Sequence, residues 1–153
     1  MKLSGRATAI LIATTGAVAA SAATPQIVAA VNARKANYKE IGGAFKTIND
    51  EIKSGNPDMN AVKTAARDIA ARAPQQLKYF PKGSGPESGI KTRAKAVIWA
   101  DQATFLKGQQ ELVAASAALQ TAAMSGDGAA LASARTRTAA ACKSCHDRFR
   151  EED

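Results

Sequence analysis

The chain has 153 residues, 46% apolar but only 5% aromatic, and carries a formal net charge of +8. That length serves one domain with a core and is short for two. Much of the apolar content is alanine, which loses no side-chain entropy in a helix, whereas strands favour β-branched and aromatic residues; the composition argues against a sheet protein and for an all-α domain.

Residues 1–22 start basic at Lys2 and Arg6, continue through a weakly apolar run to about Ala20, and finish on Ala20-Ser21-Ala22. This pattern predicts a secretory leader cleaved near Ala22 and a mature domain over 23–153, in the periplasm if the source is bacterial. A membrane anchor is the alternative, but the run is short and threonine-rich for a span of ~20 apolar residues. Without Lys2 and Arg6 the balance is 19 basic to 13 acidic residues, or +6. These charges are dispersed and the few aromatics fall at core spacing, which argues against nucleic-acid binding. A solvated basic surface remains, one that would also suit an acidic partner protein.

The first predicted helix runs from about Pro25 to Ser54, with proline suited to its start and Gly55-Asn56-Pro57 ending it. Ile27, Val31, Arg34, Tyr38, Ile41, Phe45, Ile48 and Ile52 recur at 4-3 spacing, the seam of a bundle helix. The second starts near Asp58 as N-cap and carries Val62, Ala66, Ile69 and Ala73; Ala73-Pro74 should end or kink it. The glycine- and proline-rich stretch FPKGSGPESG at 80–89 reads as a loop. The third helix is expected from near Thr92, with Ala94, Ile98, Phe105, Leu112, Ala115, Leu119 and Ala122 on one face, and to end at Ser125-Gly126-Asp127-Gly128. The fourth should run from about Ala129 to Glu151, with Leu131, Thr138, Cys142, Cys145 and Phe149 near its inner face. Four amphipathic helices with mostly short connections predict an antiparallel four-helix bundle.

Both cysteines and the sole histidine fall in Cys142-Lys143-Ser144-Cys145-His146. C-x-x-C-H is the attachment sequence of c-type haem: two thiols form thioethers with the porphyrin vinyl groups and the following histidine binds the iron. On a helix, Cys142 and His146 share a face. A redox disulfide belongs at a helix start in a βαβ context, and a zinc site lacks a fourth ligand here. A chance occurrence fits poorly with export. The motif therefore predicts one covalent haem c, with Cys142 and Cys145 as tethers and His146 as iron ligand.

With that motif closing a predicted bundle, CKSCHDRFR resembles the cytochrome c′ family, as do RKANYKEIGGAFKTI (34–48) and IWAD (98–101). The resemblance covers nearly all of the mature chain. It implies a periplasmic monohaem protein, often a homodimer, either five-coordinate or carrying a low-spin methionine ligand as in c-556-type members. It also implies that the residue facing the iron from the distal side lies on the first helix, four after a basic residue: Tyr38, after Arg34. Met59 and Met124 are not on that helix, so methionine ligation is not expected. Tyr38 could ligate as phenolate, crowd the iron and leave it five-coordinate, or simply pack in the core.

Arg34 interrupts an apolar stripe, and a buried charge is costly unless paired. It either meets a haem propionate or runs its stem over the core and its head to water. Phe149 and Arg150 match the family's aromatic-Arg continuation. Arg150 either tunes the proximal histidine or complements the helix dipole in solvent. Trp99 either walls the haem or packs. The expected function is electron transfer, binding of small gases such as NO and CO, or both, with no turnover of an organic substrate. The alternatives are a c-556-like electron carrier, an NO-binding protein for stress protection, and a structural bundle with a disulfide.

Overall fold

Each long helix begins where a side chain satisfies backbone amides that have no partner within the helix. Thr24 accepts from the Ile27 amide, Asp58 from Asn60 and Ala61, Asp101 from Thr104, and Asp127 from Ala129 and Ala130. The computed structural model describes residues 23–152; the predicted leader lies outside the described residues. The elements are α1 (Pro25–Lys53), α2 (Met59–Arg72), α3 (Val97–Ala100), α4 (Gln102–Ser125) and α5 (Gly128–Phe149). Short 3₁₀ segments cover Ala73–Tyr79 and Pro86–Ser88. As expected, Pro74 marks the end of regular α-helix in α2. Gly126, at φ 76°, closes α4 in the left-handed region that glycine enters without a Cβ clash.

The third predicted helix needs correction. Residues 92–96 do not start a helix. Instead they are latched to the end of α5: Lys95 N donates to Phe149 O at 2.9 Å and Glu151 N to Arg93 O at 2.8 Å. Ala94 and Arg150 form an antiparallel bridge. The backbone groups are thus spent across the chain, not along it. The single turn α3 follows, and Asp101, at φ −125° and ψ 63°, separates it from α4 while capping α4. α5 likewise stops at Phe149, and Arg150 is already extended.

The long helices α1, α2, α4 and α5 form the bundle, with α1–α2 and α4–α5 as hairpins. The close packing is α1 on α2, α2 on α4 and α4 on α5; α1 and α5 are not a closely packed pair. The core falls into two parts. The larger gathers Ile41, Ile48, Val62, Ala66, Ile69, Leu119, Ala123 and Leu131. The smaller is built on Ile98, Phe105 and Phe149, with Phe80, Trp99 and Cys145 against it.

Candidate haem site

A cavity of about 550 Å³ lies between the parted α1 and α5, with α4 and the 80–94 segment completing its wall. Such a volume falls in the ordinary range of small-molecule and cofactor sites, roughly 300–1,000 Å³. Ile41, Phe45, Phe80, Ile98, Phe105, Leu112 and Phe149 make the wall largely apolar. Phe80 stands 4.7 Å from Phe105, centroid to centroid, and Phe105 stands 5.3 Å from Phe149 in a T-shaped pair.

From α5, Cys142, Cys145 and His146 all line this cavity, and both thiols are free. Burial raises the pKa of both thiols, with Cys145 pushed up to about 11, further helped by Cys142 and Glu111. A redox C-x-x-C needs the opposite, a depressed thiol pKa. Among the described residues no three His, Cys, Asp or Glu side chains are grouped to hold a metal ion by themselves, which weighs against zinc. Arg150 Nη1 lies 3.2 Å from His146 Nδ1. Partial burial, then Arg150 and Arg93, lower the imidazole pKa. The ring is therefore biased toward the neutral form that can bind a metal.

From α1 come Arg34 and Tyr38. Arg34 is 4% exposed, so its head does not reach water. Its Nη1 donates to Tyr79 O and Ser84 Oγ, and its Nη2 to Ser84 O at 3.0 Å and Thr92 Oγ1 at 2.8 Å. Its guanidinium sits 4.6 Å from the centre of the Phe80 ring. All four acceptors are neutral oxygens, so the cation is hydrogen-bonded but not ion-paired through them. Tyr38 accepts a 2.9 Å hydrogen bond from Gln109 Nε2. Burial raises the pKa of its phenol above the usual value, outweighing the Gln109 contact and the nearby Arg34, which pull it down.

Seven of the eight residues singled out from the sequence line one cavity: Arg34, Tyr38, Cys142, Cys145, His146, Phe149 and Arg150. Trp99 is the exception. Its indole donates to Pro81 O at 3.0 Å and its ring packs 6.1 Å from Phe80, so it buttresses the loop behind the wall. Sequence reasoning missed Gln109, although a signal existed. Phe105, Gln109, Leu112, Ser116, Leu119 and Ala123 continue the 4-3 seam of α4 and are all buried. A polar residue in that stripe is the same signal that picked out Arg34. Ser84 and Thr92, which hold Arg34, carry no local pattern that marks them.

These residues fit a covalently held porphyrin: two free thiols and an imidazole at C-x-x-C-H spacing on one wall, an apolar chamber, and a buried cation available to an anionic substituent. Cys142, Cys145 and His146 would hold the group. The cytochrome c′ family model matches residues 29–150. The chain belongs to the cytochrome c′ family. Members of this family bind haem c covalently, one per chain.

A cytochrome c′ of Rhodospirillum rubrum is 32% identical over 145 residues, covering 94% of this chain and 95% of the relative. One from Pararhodospirillum photometricum is 34% identical, covering 79% and 95%. A cytochrome c-556 of Agrobacterium tumefaciens is 31% identical, covering 78% and 95%. Among solved structures, cytochrome c′ of Shewanella frigidimarina superposes with a TM-score of 0.78 at 28% identity, covering 84% of this chain and 99% of that one. A nitric oxide complex of a cytochrome c′ variant from Alcaligenes xylosoxidans gives 0.73 at 25% identity, covering 82% and 97%. A cytochrome c′ with ligand-controlled dimer dissociation gives 0.77 at 26% identity, covering 85% and 100%.

Proposed function

We propose that this chain is a periplasmic monohaem cytochrome c′ that admits small gases such as NO and CO at a five-coordinate iron and exchanges single electrons, without turning over an organic substrate. One observation carries this reading: among the described residues no methionine lines the cavity, and the α1 residue that the family resemblance places toward the iron, Tyr38, does. Met59 packs at the start of α2 against the larger core, and Met124 is 45% exposed at the end of α4, with Arg67 on its sulfur. Tyr38, its pKa raised by burial, keeps its proton and is a poor ligand in that form.

Haem c held here would supply an iron able to change oxidation state and to bind a small ligand. The chain's own residues supply the rest. Cys142 and Cys145 would tether the ring to α5 and His146 would hold the iron. Arg34 offers a buried cation to a propionate. Lys35, Lys39 and Arg93 add positive charge to the lining, which among the described residues contains no aspartate or glutamate; that excess favours an acidic redox partner. Export through the 1–22 leader and homodimer formation belong to the same reading, the latter supported by the dimeric relative.

Absorption and EPR spectra of the purified holoprotein test it, followed by CO and NO titration. The expected result is covalent haem, a ferric spectrum with a high-spin component, and saturable binding of both gases. A purely low-spin ferric spectrum with a methionine-to-iron charge-transfer band would overturn the five-coordinate reading in favour of a c-556-like carrier. No haem after periplasmic expression with maturation machinery would overturn the whole.

A further inference from the structure

Gly108 lies inside α4 and lines the cavity between two bulky side chains of the same helix face, Phe105 three residues before it and Leu112 four after. It leaves a notch in an apolar wall. Glycine in a helix interior is destabilising relative to alanine, and here neither backbone geometry nor helix packing requires it. Gly108 is not one of the glycines with positive φ, which are Gly55, Gly83, Gly89 and Gly126. A Cβ built on it would meet no backbone of a neighbouring helix. Among the described residues the one atom it would meet within 4 Å is Cys145 Sγ, at 4.0 Å, an ordinary van der Waals distance.

We propose that Gly108 is a positioning residue for the haem: its missing side chain leaves the notch in which the Cys145 thioether bridge seats, so that α4 fixes the ring on the Cys145 side. The proposal rests on the reading of Cys145 as a tether to haem c.

The chemistry of the tether sets the room it needs. The Cys145 S–H adds across a vinyl C=C, forming one S–C bond and one C–H bond; nothing leaves, and no outside oxidant or reductant takes part. The sulfur then carries a two-carbon bridge, one carbon of which is a methyl group, that the free thiol did not have. Cys145 packs against the cluster of Ile98, Phe105 and Phe149, so that side of the sulfur is already filled. On the α4 side, the space beside the sulfur is the space a side chain at 108 would take. Alanine there would place its Cβ at contact distance. Valine would add two γ-carbons, and in a helix its χ1 is held almost entirely in one rotamer, so they could not swing aside. Cys142 stands in no such relation, since none of its atoms lies within 4 Å of the Cβ site of Gly108. The notch therefore serves one of the two tethers.

Nuclear Overhauser contacts in the reduced holoprotein test this directly. The CO adduct is used if the iron binds CO, and the reduced protein itself if a sixth protein ligand holds the iron low-spin, since both are diamagnetic. The bridge methyl on the Cys145 side should show contacts to the Gly108 Hα protons, and the one on the Cys142 side should show none. Absence of the Cys145-side contact would overturn the proposal. Variants of the holoprotein give a second readout. Gly108→Ala should leave the Soret circular dichroism and the ferric EPR spectrum as they are. Gly108→Val should change both and lower the melting temperature. Gly43→Val places the same side chain inside α1 at a position that does not line the cavity and has open space at its Cβ, and should leave both spectra unaltered. Unchanged spectra in Gly108→Val would overturn the proposal while leaving the haem assignment intact. If Gly108→Val fails to fold, the contacts in the unsubstituted protein decide the matter. If the unsubstituted protein carries no haem attached through Cys145, the tether reading falls and this proposal with it.

Discussion

Tyr38 sits at a seam position where apolar side chains are the rule, and its environment sets its chemistry. A free tyrosine titrates near 10; here desolvation raises that value in the folded chain. The sign follows. The folded state holds the phenol proton more tightly than the unfolded state, so this contribution to stability is complete below about pH 10 and is lost as pH rises through the higher folded value. Tyr38→Phe removes this dependence. Denaturant titrations at pH 8 and pH 11 should show the unsubstituted protein losing more stability between those values than Tyr38→Phe does. Equal losses would mean that the phenol is not desolvated. Arg34 was legible because a charged residue in an apolar stripe must find partners, whereas Tyr38 was legible through the family resemblance. Which partners it finds was not legible, because Ser84 and Thr92 lie 50 and 58 residues away along the chain.

Local rules accounted for most boundaries at the level of elements. Thr24, Asp58 and Asp127 cap three of the long helices, and Pro74 interrupts the second. The start of the third helix escaped, since the sequence around Thr92 is compatible with helix and only the neighbouring end of α5 draws it into a bridge. Arg93 reinforces that latch by donating twice to Glu151 O, at 2.9 and 3.0 Å. The loop carrying Ser84 is held as tightly. A Cβ built on Gly85 would lie 2.8 Å from Trp99 Cζ3, closer than carbon atoms sit without movement. Gly85→Ala should therefore displace the loop or the indole and cost about 1–3 kcal/mol, the usual cost of overpacking. Thermal unfolding with Trp99 fluorescence would measure both effects; an unchanged melting temperature and emission would show that the loop absorbs the methyl freely.

Over the whole molecule, the bundle uses its helices unequally. One part of the core is closed by α1, α2, α4 and α5 together, while towards the C-terminal end of α5 the pair α1 and α5 parts around the cavity. Stability and cofactor binding are thereby separated in space. Leu119 is fully buried in the larger core and does not line the cavity. Leu119→Ala should cost about 2–5 kcal/mol in stability, from lost transfer energy and the hole left behind. The haem spectrum of the folded protein should stay as it was. A changed spin state would show that the two parts of the core are mechanically coupled.

The amino-acid sequence by itself determined the helical class, the seams of the long helices, and the thiols and imidazole of the haem motif. These depend on contacts within a turn or two, or on covalent spacing, and such features are written locally. Only the tertiary structure decided that α1 and α5 part around a chamber, that Trp99 stands behind its wall, that residues 92–96 pair with the end of α5, and that Gln109 meets Tyr38. That last contact joins residues 71 positions apart. Both side chains had seam positions that could be read one helix at a time. Their meeting depends on how α1 and α4 dock, and periodicity along a single helix carries no record of the partner it will face.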